Sequence, residues 1–439
     1  MAVNASAYDL PPLPSYTLTP RVPILPPIPD NILALILPII AYWGLSMIFH
    51  YIDVNDYFPQ YRLHTPAELL KRNHVSRWEV VRDVILQQVV QTIAGISVSY
   101  FDEPEFVGKE NYDVAVWASR LRVLQRGFPY MLGLFGIDAT SLAKNLSQNG
   151  YTMLGGALAG GYYPTVTQSM VSENGMEATV PAFTGWELAA ASLIYWYLIP
   201  GLQFVWAVFV IDTWQYFLHR AMHLNRWLYG AYLVSTARLF FEKARANNCL
   251  VTFHSRHHRL YVPYAFGALY NHPVEGFLLD TAGTGVAFLT AQMNNRQALF
   301  LFTFSTIKTV DDHSGYHFPW DPLQHFTSNN AAYHDIHHQS WGIKTNFSQP
   351  FFTFWDGLLQ TRWKGDVTSR YERSRIASQQ QVNHEAAQAA AAKAEIAASP
   401  AVVSPESPPD TRSRLRRKAP SLSSPSVKGV NHGVTSSVL

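Results

Sequence analysis

Twelve of the chain's 17 histidines fall between His219 and His338, and their spacing restricts the fold more than any other feature. They group as HRAMH (His219, His223), HSRHH (His254, His257, His258), HSGYH (His313, His317) and HDIHH (His334, His337, His338). With 17 histidines in 439 residues, two HxxHH clusters are not expected by chance. On an α-helix, residues four apart share a face with their Cβ atoms about 5–6 Å apart, so two such imidazoles reach one metal ion. In HxxHH the first two histidines are expected to adjoin on that face, with the third about 100° further round and able to reach a second ion. The ten imidazoles suit two five-coordinate ions and are too many for one zinc. Left without metal, so many ring nitrogens would need other partners in apolar surroundings. The fold must therefore bring four separate segments to one centre.

Cys249 is the only cysteine, so neither a disulfide framework nor a thiolate site is available, and the ligands must be nitrogen or oxygen. Imidazole alone does not choose among iron, zinc and copper. His50, His64, His74, His384 and His432 stand alone and read as structural or solvated. His272, in Asn-His-Pro, and His325 lie in the clustered region outside the repeating spacing, and His272 is kept as an additional ligand candidate. Asp212, seven residues before His219 on the same helical face, is a candidate acceptor for a ligand ring N–H. Asp312 and Asp335, each beside a cluster, are two more.

The surroundings of these clusters are apolar. Charged residues make up 15% of the chain against roughly 25% in soluble domains, and aromatic residues reach 14%. Residues 31–52 are almost uninterrupted apolar sequence, long enough to cross ~30 Å of hydrocarbon, and Pro38 inside them is tolerated in a membrane. Residues 188–211 form a second span, with Gln203 its main polar member. Residues 277–293 and 297–310 read as two arms of a helical hairpin that turns at Asn294, Asn295 and Arg296. Residues 80–101 are a weaker span, with Arg82, Asp83, Gln87, Gln88 and Gln91 near one end. The expectation is an all-α, polytopic membrane bundle capped by a histidine-rich di-metal helical region. The net charge of +2, with no strongly basic stretch in the folded region, argues against nucleic acid as a partner.

Arg62, Lys71, Arg72, Arg77 and Arg82 crowd behind the first span, while Arg21 is the sole basic residue before it. The positive-inside tendency puts 53–79 in the cytosol, and five crossings then deliver the histidines to that same face. A surface-lying 80–101 would move the N-terminus to the cytosol, which the sequon Asn4-Ala5-Ser6 would report. Residues 1–30, with eight prolines between Pro11 and Pro29, lack the pattern of a cleavable leader and read as an extended tail. Residues 31–363 form the catalytic region on this reading. Residues 364–439, with an Ala/Gln/Glu-rich stretch at 385–399 that can form helix, Ser-Pro repeats and a basic run at 412–418, are expected to be a disordered tail.

HRAMH, HSRHH and HDIHH resemble the three histidine boxes of the fatty acid hydroxylase/sterol desaturase superfamily. The segment RLYVPYAFGALYNHPVEGFLLD, residues 259–280, resembles fungal sphingolipid 4-hydroxylases (sphinganine 4-monooxygenases). The resemblance covers about 53–363. It implies a non-haem di-iron centre, dioxygen as oxidant, and electrons from NAD(P)H through a separate cytochrome b5 and its reductase. It also implies an endoplasmic-reticulum membrane location and a lipid substrate, sphinganine or dihydroceramide, hydroxylated at carbon 4. The boxes themselves do not separate this reaction from sterol desaturation or sterol methyl oxidation. One departure stands out: 30 residues separate His223 from His254, where the family has a short link. The excess, about 233–252, reads as a translated, unspliced intron, which transcript sequencing would test. If the stretch is genuine the flanking boxes must still converge, and a chain in which they cannot would be inactive or non-enzymatic.

Overall fold

The computed structural model describes residues 9–171, 177–229 and 253–398. The stretch 233–252 lies outside the described residues. The chain divides into two compact units, Met1–His384 and Glu385–Leu439; the described part of the second is helical through Ala398.

Long helical segments build the first unit. Helix α1, Asp30–Val54, follows from the first apolar run and keeps Pro38 within it. Helix α2, Arg77–Ser99, starts where Ser76 caps the backbone N–H of Glu79. Helix α3, Glu110–Gln125, lies in the connection to the next long helix. Helix α4 runs unbroken over Gly185–Leu224 apart from a π turn at Ile194–Leu198. A π turn at Phe277–Ala282 leads into α5, Gly283–Ala291. Helix α6, Asn295–Asp312, begins with a capping box between Asn294 and Gln297. The hairpin turn falls at Gln292, in the left-handed region at φ 53°, slightly earlier than the Asn294–Arg296 expected. The side chain of Gln203 ties it down, donating to the Gln292 carbonyl at 2.9 Å and accepting from Gln297 at 2.8 Å.

The ion pairs show how these helices run. At one end, Asp30 at the start of α1 meets Arg296 at the start of α6 at 2.8 Å, and Glu105, just beyond α2, accepts from the Asn295 N–H at 2.8 Å. At the other end, Arg259 beside the second box pairs with Glu79 at the start of α2. Arg62, beyond α1, donates to the Tyr316 hydroxyl at 2.7 Å. Helices α1, α4 and α6 therefore finish, and α2 starts, at the end where the histidine segments lie.

One core joins α1, α2 and α6 to the segment after the second box, through Tyr42, Phe49, Val84, Leu260, Tyr270 and Val310. A second joins α4, α5 and α6 through Ala207, Ile211, Ala287 and Leu301, closed by Phe351. Small residues at 207, 287 and 291 let these helices approach closely, as in membrane bundles. The opposite faces are apolar and uncovered: Ile40, Met47, Leu202, Val205, Leu289 and Phe300 are all exposed. Only 22% and 17% of the most apolar windows of α1 and α4 are buried, which is unlike the core helix of a soluble domain.

The structure departs from the sequence expectation in three places. Two small antiparallel ribbons accompany the helices: β1 (Thr19–Pro20) with β2 (Phe106–Val107), and β3 (Thr167–Val171) with β4 (Glu177–Pro181). The N-terminal Pro-rich segment is therefore tied down, by that pairing and by Arg21 against Glu105 at 3.3 Å. The third departure corrects the disordered tail read from residue 364. Helix α7, Ala331–His338, carries the last histidine box, and helix α8, Val367–Ala398, follows it. Tyr371 donates to Asp335, and Arg375 donates to the Leu63 carbonyl at 3.0 Å. These contacts supply what a polar, helix-forming stretch lacks by itself.

Candidate metal centre

Four local structures present the histidines. His219 and His223 lie in the last turns of α4, and His254, His257 and His258 on a 3₁₀ turn, His254–Arg259. His313 caps the C-terminus of α6, and His334, His337 and His338 close α7. All nine are buried. They form two groups, within each of which ligand-type atoms lie no more than 4.8 Å apart: His219, His223, His254, His258 and His337; and His257, His313, His334 and His338. In the first, His223 Nε2 is 2.7 Å from His254 Nε2 and 3.1 Å from His258 Nε2. In the second, His334 Nε2 is 3.1 Å from His313 Nε2 and 3.2 Å from His338 Nε2.

Each HxxHH box straddles both groups, but the member that separates is the middle one. His254 and His258 stay together while His257 crosses, and His334 and His338 stay together while His337 crosses. In α7, at about 100° per residue, positions four apart are offset by roughly 40° and positions three apart by roughly 60° in the opposite sense, so His334 and His338 share the tighter sector; on the 3₁₀ turn the same division of the box is set by the rings it packs against. The spacing read from the sequence predicts separation of the third histidine, and the structure corrects this.

His317 lies outside both groups. Helix α6 ends at Asp312, and Gly315 at φ 78° turns the chain, so HSGYH is not a helical pair. The His317 N–H donates to the Tyr61 carbonyl, and its ring packs 6.0 Å from that of His325. The glycine inside the motif was the available warning, since glycine is the usual residue just past a helix end. His272 is also outside: it caps a short helix, its Nδ1 accepting from the Val274 N–H at 3.3 Å. His325 Nε2 donates to the Pro319 carbonyl.

None of the three aspartates singled out as acceptors touches a grouped histidine. Asp212 accepts the backbone N–H groups of Phe351 and Phe352 at 3.0 and 2.9 Å, Asp312 pairs with Lys308, and Asp335 pairs with His64 at 2.9 Å. Backbone carbonyls hold the rings instead. Nδ1 donates to Phe347 O from His219 (2.9 Å), to Tyr270 O from His257 (3.0 Å) and to Thr309 O from His313 (2.8 Å). His337 donates to Thr345 O (2.7 Å) and His338 to Leu260 O (2.8 Å). His254 alone has a carboxylate partner, Glu275, which is wholly buried. The sequence reading did not pick out Glu275; its place inside the distinctive 259–280 segment was the only hint.

This tautomer pattern tests whether the residues suit metal. A carbonyl can only accept, so each Nδ1 bonded to one carries the proton and the Nε2 of a neutral ring is left a bare lone pair. Burial pushes His254 down to about 3, His257 down to about 4 and His313 down to about 3, which keeps these rings neutral. His337 Nε2 is buried with no hydrogen-bond partner. Converging lone pairs repel one another unless a cation lies among them, and neutral imidazole with its other nitrogen anchored is the form that binds metal. The residues fit two ions.

A small pocket beside the rings is lined by His219, His254, His257, His313 and His334 together with Glu275 and Asp312. It shares Gln215, Asp280, Thr309 and Pro350 with a cavity of about 500 Å³ that extends between α1, α2, α5 and α6. That cavity is walled mainly by apolar side chains such as Leu35, Ile39, Phe277, Phe288 and Phe302.

Comparison with known proteins agrees with this geometry. The Fatty acid hydroxylase family profile matches residues 204–361, the stretch that carries every grouped histidine. The chain is 40% identical over 355 residues to the sphingolipid C4-hydroxylase SUR2 of Saccharomyces cerevisiae, covering 80% of this chain and 77% of the relative. It is 37% identical over 347 residues to sphingolipid C4-hydroxylase sur2 of Schizosaccharomyces pombe, covering 78% and 92%. It is 36% identical over 334 residues to sphinganine C4-monooxygenase 2 of Arabidopsis thaliana, covering 76% and 88%. No solved structure matches it. With identity at this level across most of each relative, and with the histidine segments converging as described, the chain belongs to the fatty acid hydroxylase family.

Proposed function

We propose that this protein is a di-iron monooxygenase of the endoplasmic-reticulum membrane that hydroxylates carbon 4 of sphinganine or dihydroceramide. The observation that carries the reading is the long apolar cavity between helices suited to a bilayer, opening beside two all-imidazole groups. The relatives' names specify the lipid and the carbon. His219, His223, His254, His258 and His337 would hold one iron, and His257, His313, His334 and His338 the other. When bound, the two irons with dioxygen supply the oxidant strong enough to replace an unactivated C–H by C–OH, with electrons from a separate cytochrome b5.

The chain's own residues do the rest. The five backbone carbonyls and Glu275 fix ring tautomers and orientation. The apolar walls of the cavity align an alkyl chain and exclude water, so that a single carbon is presented to the centre. Placement of the centre on the cytosolic face is supported by the basic segment 62–82 at the histidine end of the helices: Arg72 donates to Gln339 just beyond the last box. The reading of an inactive chain is disfavoured because His223 and His254, on either side of the long link, meet at 2.7 Å.

The test is expression in a yeast strain without its own C4-hydroxylase, beside His337→Ala. Wild type should restore 4-hydroxylated long-chain bases and carry iron; the variant should lose both, activity by more than about 100-fold. A wild-type chain that leaves these bases absent while changing sterol intermediates would overturn the assignment.

A further inference from the structure

Asp280 is a carboxylate without a cation. Asp280 is half-buried, whereas several fully buried acids of the bundle have cations: Asp83 has Arg82 and Arg256, Glu187 has Arg122, and Asp312 has Lys308. Asp212, which lacks a cation, is held by two backbone N–H groups. Among the described residues Asp280 has neither; two side-chain amides hold it, Gln87 at 2.8 Å and Gln215 at 3.4 Å. A carboxylate can accept about four hydrogen bonds, so capacity remains. The arrangement is built in detail. Gln87 is fully buried with its own Oε1 unpartnered, and its carboxamide packs so closely on Gly276 that a Cβ there would meet it at 2.2 Å. Asp280 itself sits in the π turn Phe277–Ala282, a distortion frequently found at functional sites. It lines both the pocket at the histidines and the apolar cavity, beside the partnerless hydroxyl of Thr281.

We infer that Asp280, with Gln87 and Gln215, binds the ammonium group of a single-chain lipid amine, so that the free long-chain base rather than the N-acylated lipid is the preferred substrate. This rests on the C4-hydroxylase reading. In such a base the amine is on carbon 2, three bonds and ~4 Å from carbon 4. Gln215 precedes His219 by one helical turn, ~6 Å along α4. An ammonium on Asp280 therefore leaves carbon 4 facing the histidines and sends the remaining chain into the cavity. Asp102, the other carboxylate on the cavity wall, lies at the far end beyond α2 and is exposed to solvent. Acylation removes the charge and adds a second chain where one cavity leads away.

The experiment uses the full-length iron-loaded protein in lipid nanodiscs, with octadecylamine and octadecanol competing against a labelled long-chain base. Wild type should bind the amine at least about 10-fold more tightly than the alcohol, as expected for a charge-assisted contact in a dry site. Asp280→Asn should shrink that preference to about 2-fold and lower kcat/KM for sphinganine more than for dihydroceramide. Equal wild-type affinity for amine and alcohol overturns the inference, whether or not the variant folds. So does an Asp280→Asn protein that keeps the amine preference. The reaction assignment fails separately, if wild type turns over neither lipid at carbon 4, because the binding ratio is read without turnover.

Discussion

Replacing Glu275 tests whether the first group of histidines is a metal site held from outside. Its Oε1 accepts from His254 Nδ1, both side chains are buried, and burial pushes the Glu275 carboxyl up to about 7. Glu275→Ala removes a hydrogen bond to a charged or strongly polar acceptor, about 1.5–3 kcal/mol, and leaves a buried ring N–H with nothing to donate to. His254 is then free to turn or change tautomer, so its Nε2 no longer points reliably at its four partners. At about 1.4 kcal/mol per decade, the loss corresponds to roughly 10- to 100-fold in metal affinity. Glu275→Gln keeps an acceptor oxygen in place and should lose no more than about 10-fold. The assay is iron per chain after dialysis against graded chelator, with helicity as a check on folding. An Ala variant that holds iron as tightly as wild type, while Asp335→Asn loses it, would refute the reasoning, because Asp335 touches His64 rather than a grouped ring.

His317→Ala should keep the wild-type iron content whereas His313→Ala should lose about one ion, since only His313 belongs to a group; metal analysis of the two variants decides. Arg122→Met leaves Glu187 buried without its cation and should destabilise the protein by about 3–5 kcal/mol, read as a lower unfolding midpoint in detergent; an unchanged midpoint contradicts it. His64 supplies a pH dependence. Burial alone would lower it, but Asp335 and Glu68 outweigh this and raise it from 6.5 to about 9. The bound proton therefore stabilises the fold fully below pH 6.5, and that stability, at most about 3 kcal/mol, is lost as pH rises through 9. Thermal unfolding of His64→Gln should be flatter than wild type between these values, and parallel curves would exclude the effect.

The long apolar helices were legible in the sequence because their determinant is local. Apolar runs are contiguous, so 31–52 anticipates Asp30–Val54 and 188–211 falls within Gly185–Leu224, the two helices among the described residues long and apolar enough to cross a bilayer, while 80–101 becomes the more polar helix Arg77–Ser99. Polar residues near the start of 80–101 looked like a weakness of that span. Asp83, Gln87 and Gln88 instead form its inward face: Gln87 holds Asp280, and Gln88 accepts from Trp43 at 2.9 Å. Composition reports how polar a helix is, not where its polar groups point. The C-terminal helix shows the converse. From Val367 on the residues favour helix yet bury little, and Tyr371 and Arg375 find partners on segments far earlier in the chain.

The sequence by itself determined that imidazoles would gather in clusters able to hold metal. Histidines three and four apart are aligned by the backbone, a property of neighbours that needs no tertiary information. Which boxes contribute to each group was decided only by the packing of α4, α7 and the 3₁₀ turn against one another, which brought His337 to His219 and His223 and left His317 outside. The anchoring carbonyls, Glu275 and the cavity that ends at Asp280 were invisible for the same reason. A carbonyl is present at every residue and a cavity belongs to no residue, so both acquire meaning only when helices remote in sequence come within van der Waals contact.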